Sequence, residues 1–472
     1  METSPITNTD NVSLQVDQGP YEYRPVRRIN VTEYKWQFED VKPLTNSQKY
    51  LLFRVDDRPY PFCPREMELH LVVRFYQDKA NNTLAAYNET NSKVRVLPVN
   101  NFGYSCIQQI VCRVNNAETE SSSGINLAYR EYFRQLLEAD PWKERSTLKR
   151  QGWYRDVTGE MEAVGGSMGK GANDSGLMRE KALVGATGKY EFNVSPIPCN
   201  FCQIEQNVPP NTKVELRLEF NDSKFCLTAR QAKADRTGTA ENDDSKIVYE
   251  VDTVQSFLRI FYRVPQQNIM TLMESQVEAT TVMNPMLFPI RRMRCDNYLV
   301  QANNLTPEIN DVFRGRSPRL FWMVILPDKA YQGDYQMNPF NFSNVLSSQF
   351  EVQTISCTAN GVPVPKMNIS LNKPYEVYDL LLNASGKTKR DAYLLDPDNF
   401  DKGFFIVPFD LTAVQDGGES SSPLIPMLVN VRLQFKSVTN NLQVLFFYNT
   451  DETLLQLDNR GTTKGPVPLG DV

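Results

Sequence analysis

A lone histidine, a pair of cysteines, a glycine-rich loop and a group of arginines are where chemistry could begin in this 472-residue sequence. His70 is the only histidine, so a Ser-His-Asp or Cys-His device would have to use it as base. It lies in an alternating run in which Leu69, Leu71, Val73 and Phe75 share one face. Glu68, His70, Val72, Arg74 and Tyr76 share the other, which makes His70 a surface or interface imidazole with no nucleophile beside it in the chain. Cys199 and Cys202 form the only Cys-x-x-Cys. A structural zinc needs about four ligands, and no second Cys or His pair stands at finger spacing. Pro196 and Pro198 precede the pair, where a redox motif would follow a strand and open a helix. Core thiols in a turn are the expectation.

The run Gly165-Gly-Ser-Met-Gly169-Lys170-Gly171 looks like a phosphate loop but is one residue short before Gly169-Lys170. Gly171 stands where a magnesium-binding hydroxyl is needed, and no hydrophobic strand leads in, so the run reads as a surface loop. Arg291, Arg292 and Arg294, with Arg314, Arg316 and Arg319 behind them, lack the interleaved aromatics of a single-strand binding groove. Subunit contacts or protection of a strand edge suit them better. The acidic pairs Asp56-Asp57 and Asp243-Asp244 fall in loop-like stretches and read as solvated. The sequence therefore offers no catalytic residue, no cofactor-binding residue and no metal ligand set, and the chain is not expected to be an enzyme.

The elements that carry these residues are mostly strands. Hydrophobic residues make up 41%, charged residues 23% and aromatics 11%, with 25 Phe and 21 Tyr, a composition that favours packing on pleated surfaces. The formal charge of -5 argues against a protein whose task is to neutralise phosphates, so little direct nucleic-acid binding is expected. Residues 1–11 are polar, with Glu2 and Asp10, and do not read as a signal peptide. No apolar run approaches the ~20 residues that cross a bilayer, so no membrane insertion is expected. The eight cysteines are then reduced, and the Asn-x-Ser/Thr triplets at Asn30, Asn193 and Asn368 carry no glycan.

Val214, Leu216, Leu218 and Phe220 alternate with Lys213, Glu215, Arg217 and Glu219. Val429, Val431, Leu433 and Phe435 alternate with polar residues, and the turn Thr439-Asn440-Asn441 leads into a strand through Leu442, Val444, Phe446 and Tyr448. One stretch, 127–139, has helical spacing and is stopped by Asp140-Pro141, and a shorter helical piece follows over 142–150. Long polar loops are expected over 159–188, 229–246 and 415–423, with a domain boundary in 265–289 and no internal sequence repeat. Many strands and few helices give an all-β chain of antiparallel sandwiches.

A series of landmarks makes the second half distinctive. They run from Phe321-Trp-Met-Val-Ile-Leu326-Pro through Ala330, Gly333, Asn338-Pro339-Phe340-Asn341-Phe342, Asn360-Gly361-Val-Pro363-Val-Pro365 and Tyr375-Glu-Val-Tyr378. Gly403, Phe409-Asp410-Leu411-Thr412 close the series. In the first half come Val99-Asn100-Asn101-Phe102, Tyr129-Arg-Glu-Tyr132, Gly152-Trp153-Tyr154-Arg-Asp156, Gly176-Leu-Met-Arg179 and Phe225-Cys226-Leu227. In this order, over about 50–460, the chain resembles the major capsid proteins of Maverick/Polinton elements and adintoviruses. Val362-Pro363-Val364-Pro365 departs in detail from the family's hairpin, and the N-terminal arm matches poorly. The residues also make sense as structure: Asn360-Gly361 as a hairpin turn, Pro339, Pro363, Pro365 and Pro408 at strand starts and bulges, and Asn338, Asn341 and Asp410 at corners.

The resemblance implies a hexon-like double jelly roll: two eight-stranded sandwiches with a few short helices in loops. They occupy 30–264 and 285–460, joined by a connection at 265–284, between an arm (1–29) and a tail (461–472). The tail reads either as disorder or as a tie that orders on assembly. The helix at 127–139 and the long loops are expected to cap one end and face outward. The implied function is a homotrimer that tiles, with neighbouring capsomers, single jelly-roll pentons and minor or cement proteins, an icosahedral virion shell around double-stranded DNA. The chain would be made in host cytoplasm and assembled there or in the nucleus. Two other classes stay open: a non-viral β-sandwich adhesion or glycan-binding protein, and an enzyme built on Cys199/Cys202 or on the 165–171 loop.

Overall fold

The computed structural model describes residues 34–45, 49–56, 58–79, 83–86, 94–122, 126–161, 178–179, 182–183, 188–231, 247–265, 267–280, 285–290, 293–314, 318–346, 349–364, 369–370, 373–385, 394–395, 397, 400–412, 427–449, 453–457 and 463–468. The arm at 1–29, the glycine-rich loop at 165–171, Arg291, Arg292, Arg316, Asp57, Asp243, Asp244, Asn30, Asn368 and Pro365 lie outside the described residues, as do most of the three long loops.

Alternation builds the first sandwich. Its strands are β1 (Tyr34–Val41), β2 (Tyr50–Val55), β3 (Glu68–Lys79), β4 (Ile107–Val114), β5 (Ala117–Ser122), β6 (Lys189–Val194), β7 (Val214–Phe220) and β8 (Phe257–Pro265). One sheet runs β1-β8-β3 with β6 on the far edge of β3, and the strand Ile247–Val251 pairs further along β3. The facing sheet runs β2-β7-β4-β5, all antiparallel. In β7, Val214, Leu216 and Leu218 are buried and Arg217 is exposed, as the alternation requires.

The second sandwich repeats this order. Its strands are β9 (Met293–Val300), β10 (Glu308–Ile309), β11 (Leu320–Pro327), β12 (Phe350–Ala359), β13 (Val362–Pro363), β14 (Ile369–Ser370), β15 (Val407–Asp410), β16 (Val429–Val438) and β17 (Leu442–Asn449). One sheet is β9-β17-β11-β15; the other is β10-β16-β12, with β13 and β14 paired in turn along β12. With β13 and β14 together in the place of β5, the two sandwiches follow one strand order, although no repeat is visible in the residues. The expected hairpins form. β16 turns into β17 at Thr439–Asn441, and Asn360 and Gly361, at φ 49° and 79°, join β12 to β13. Pro408 sits in β15, an edge strand paired only with β11 among the described residues, where a missing N–H costs no ladder bond.

Three longer helices lie between strands. Helix α1 (Asn126–Glu138) matches the expected stretch; α2 (Gln267–Glu278) and α3 (Pro374–Ala384) were not anticipated. α2 fills the connection between the sandwiches. α3 starts on Pro374, a residue suited to a first helical turn, and buries Val377, Leu381 and Ala384 on one face. The tail is neither wholly irregular nor unattached: Thr463–Pro468 pairs with Thr453–Leu457, which pairs with Met286–Ile290. Its backbone also runs close to β5 of the first sandwich. Among the described residues no helix is long and apolar enough to cross a membrane.

Candidate functional site

Among the described residues, the candidate chemical groups do not converge. His70 is on the face opposite Leu69 and Leu71, as the alternation predicts, but it is not a surface side chain: only 6% of it is exposed. Its ring stacks on Phe257 at 4.4 Å, and its Nδ1 and Nε2 lie 2.9 Å and 3.2 Å from carboxylate oxygens of Glu191 and Glu68. Cross-strand neighbours on β6 and β8 cover it, which the sequence of β3 alone does not reveal. No serine or cysteine adjoins the ring in these contacts. Asn193, one of the triplet asparagines, is buried beside it and donates to Glu68.

Cys199 and Cys202 are buried at the short helical turn Phe201–Gln203, and Cys199 makes side-chain hydrogen bonds with Cys202 and with Cys112 of β4. Elsewhere burial pushes the thiols of Cys106, Cys226 and Cys295 up, away from the reactive thiolate. Among the described residues no group of His, Cys, Asp and Glu is arranged to hold a metal ion. Arg294 lies exposed on β9, an edge strand, and the backbone carbonyl of Arg319 accepts from Leu411.

What does converge is the set of landmark residues, and they meet at the seam between the two sandwiches. α1 is not an outward cap. It is wedged in this seam and buried on nearly every side, at 127–133, Leu136 and Leu137. Tyr132 stacks on Phe340 at 4.0 Å, Phe133 stacks on Phe447 at 4.2 Å and tilts against Trp322 at 5.4 Å. Tyr129 stacks on Tyr331 and meets Phe225 and Phe340 edge to face. Such ring pairs add about 0.5–1.5 kcal/mol each beyond the area they bury. The buried polar residues of α1 are paired with one another and with the cysteine loop: Glu131 holds Arg130 and Arg134, and Arg130 donates to the Pro198 carbonyl at 2.9 Å.

A second lock lies beside the helix. Arg179, buried, donates to Asp156 at 2.6 Å, to the Pro98 carbonyl at 2.8 Å and to the Tyr154 carbonyl. The other oxygen of Asp156 accepts from Asn338 of the second half at 3.0 Å, and Asn338 Oδ1 accepts from the Phe340 N–H at 3.0 Å. Asp156, Arg179 and Asn338 thus form one buried network spanning both halves. Asn100 belongs to it at one remove, its Oδ1 accepting from the backbone N–H groups of Asn101 and Tyr154. Close approach is bought by glycine: at Gly333, φ 93°, a Cβ would stand 2.8 Å from the Phe225 nitrogen, and at Gly403 it would strike the Met161 sulfur.

The arrangement joins the two sandwiches through stacked rings and a buried polar network. A chain in the cryo-EM structure of the Sputnik virophage aligns with 99% of this chain and 94% of its own length, at a TM-score of 0.61 and 11% identity. The mavirus major capsid protein aligns over 98% of this chain and 95% of its own, at 0.52 and 10%. The fold is the double jelly roll. The Faustovirus major capsid protein has it too, at a TM-score of 0.50 and 9% identity, covering 90% of each chain. In sequence, "Uncharacterized protein F54H12.2" of Caenorhabditis elegans is 22% identical over 355 residues, 74% of this chain and 77% of that protein. No family model matches. This double jelly roll is therefore shared with capsid proteins of virophages and large DNA viruses at identities where only the fold is common.

Proposed function

We propose that this chain is the major capsid protein of a double-stranded DNA virus or integrated element of the Maverick/Polinton and adintovirus type. One observation carries the reading: two sandwiches of one strand order are locked by a buried seam into a single two-lobed body, the fold also found in the mavirus and Faustovirus major capsid proteins. Three such bodies make a ring of six similar lobes, a shape that tiles a facet while keeping threefold symmetry. The order of landmark motifs supports the Maverick/Polinton assignment, and a nematode relative suits an element carried in animal genomes.

On this reading the domains are an arm at 1–29, a first jelly roll at 30–264, a connection at 265–284, a second jelly roll at 285–460 and a tail at 461–472. The product is a homotrimeric capsomer in the virion shell. It contacts neighbouring capsomers, single jelly-roll pentons and minor or cement proteins, and leaves most DNA contact to basic partners. It performs no catalysis and holds no cofactor. Light scattering on the purified protein, with negative-stain imaging of the same fractions, tests this. A mass of three chains with a six-lobed outline, or closed shells, is the expected result; a monomer in every buffer overturns it.

A further inference from the structure

The two sandwiches repeat one strand order, yet equivalent sheet faces are buried unequally. In the second sandwich β11 is buried along its whole length and β17 over 442–448, so neither has an open side. The outer face is closed by α1, through Phe133 on Phe447 and Trp322 and through Asn126 on Asn297. In the first sandwich the equivalent strand β8 alternates: Leu258, Ile260 and Tyr262 are buried, while Phe257, Arg259, Phe261 and Arg263 are half-buried. Across this open face Asp40, Arg259 and Glu68 stand in one row, with Phe257 and His70 in the next. Arg259 is gripped by Asp40 at 2.7 Å and 2.8 Å and lies over the rings of Phe38, 62% exposed, and Phe257. An arginine held between aromatic rings is the composition of a contact hot spot.

The covering helix has an equivalent too. α1 occupies the connection between β5 and β6, and α3 occupies the same connection, between β14 and β15, in the second sandwich. α1 is used on both sides. α3 buries one side on its own sandwich and leaves Tyr375, Glu376 and Asp379 exposed, Tyr375 at 59%. Among the described residues, one chain thus contains one completed helix-on-sheet contact and, at the equivalent positions, one exposed helix face and one half-exposed sheet face. Repeating the step that takes the first lobe onto the second carries the second lobe onto the first lobe of another molecule.

We propose that α3 of a second copy seats on the outer face of the β1-β8-β3-β6 sheet, around Phe38, Phe257 and Arg259, as a head-to-tail contact. This rests on the reading of the chain as a self-assembling capsomer. A head-to-tail contact closes into a ring when its rotation allows, and each copy supplies both halves. Two variants test it, one with a spoiled sheet face (Phe38→Asp with Arg259→Glu) and one with a spoiled helix face (Tyr375→Asp with Glu376→Arg). Circular dichroism confirms folding, and Phe38→Ser and Tyr375→Ser replace them if either fails to fold. Light scattering should find each variant alone at the 54.0 kDa of one chain, and an equal mixture at twice that mass, because the mixture keeps one intact contact. A variant that still forms the wild-type trimer, or a mixture that stays monomeric, overturns this contact while the capsomer reading stands. A wild-type protein that is itself monomeric overturns the capsomer reading.

Discussion

At the scale of single residues, the landmarks fasten the two halves to each other. Arg179 and Asp156 have side chains only 2% and 0% exposed, so removing one partner strands a charge in a site that water does not reach. Arg179→Met should therefore cost about 3–5 kcal/mol. Denaturant unfolding is the measurement, and a second change, Asp156→Leu, should recover part of the loss. Glycine at the seam can be tested against glycine in a turn. Gly333→Ala adds a methyl against the Phe225 backbone, whereas Gly361 has nothing within 4 Å of its would-be Cβ. Both pay about 1–3 kcal/mol for positive φ, so a melting temperature clearly lower for Gly333→Ala than for Gly361→Ala isolates the seam. The residue types were legible in the sequence as a motif series. Their reason was not, because Asn338 and Asp156 are 182 positions apart and only the fold makes them neighbours.

At the scale of elements, legibility followed periodicity. β3, β7, β16, β17 and α1 announce themselves because each presents a clean period of two or 3.6. α3 was missed although Pro374 and the buried Val377, Leu381 and Ala384 mark a start and a stripe; its remaining aliphatics blur the pattern. α1 was found but misplaced. Tyr129, Tyr132 and Phe133 fall on one face at i, i+3 and i+4, so the spacing marks a single covered side, and the burial of Arg130 and Glu131 away from that side is visible only in the structure. The sheet edges carry a pH dependence. The Arg58 guanidinium beside Glu39, and Arg259 beside Asp40, hold both carboxyls below their ordinary range of about 4. A depressed folded-state value contributes stability that is complete above the unfolded value and is lost as pH falls through the folded one. Melting temperature should thus drop on acidification below about pH 4, and less steeply in Asp40→Asn.

At the scale of the whole molecule, the sandwich class was readable from many strands and few helices, while the repeated strand order was invisible in the residues. Hydrogen-bond order survives any substitution that keeps apolar positions apolar, so two halves can share a topology with no shared sequence. The cysteine pair belongs to this scale as well, since its loop holds α1 through the Pro198 carbonyl. Cys199→Ser with Cys202→Ser should leave the oligomeric mass unchanged, and elemental analysis of the purified wild type should find less than one zinc per chain. A zinc-dependent mass would return the metal reading.

The unequal burial of β17 and β8 also bears on timing. In a ring of six identical single lobes, every junction is the same surface and must form under the same conditions. Two unlike lobes in one polypeptide remove that constraint. The apolar junction around Phe133, Trp322 and Phe447 is made as the chain folds, whatever the protein concentration. With the proposed head-to-tail contact, the polar face around Arg259 stays in water until enough copies accumulate. In the proposed capsomer, covalent fusion thereby turns one kind of joint into two, one fixed at birth and one answerable to concentration and salt.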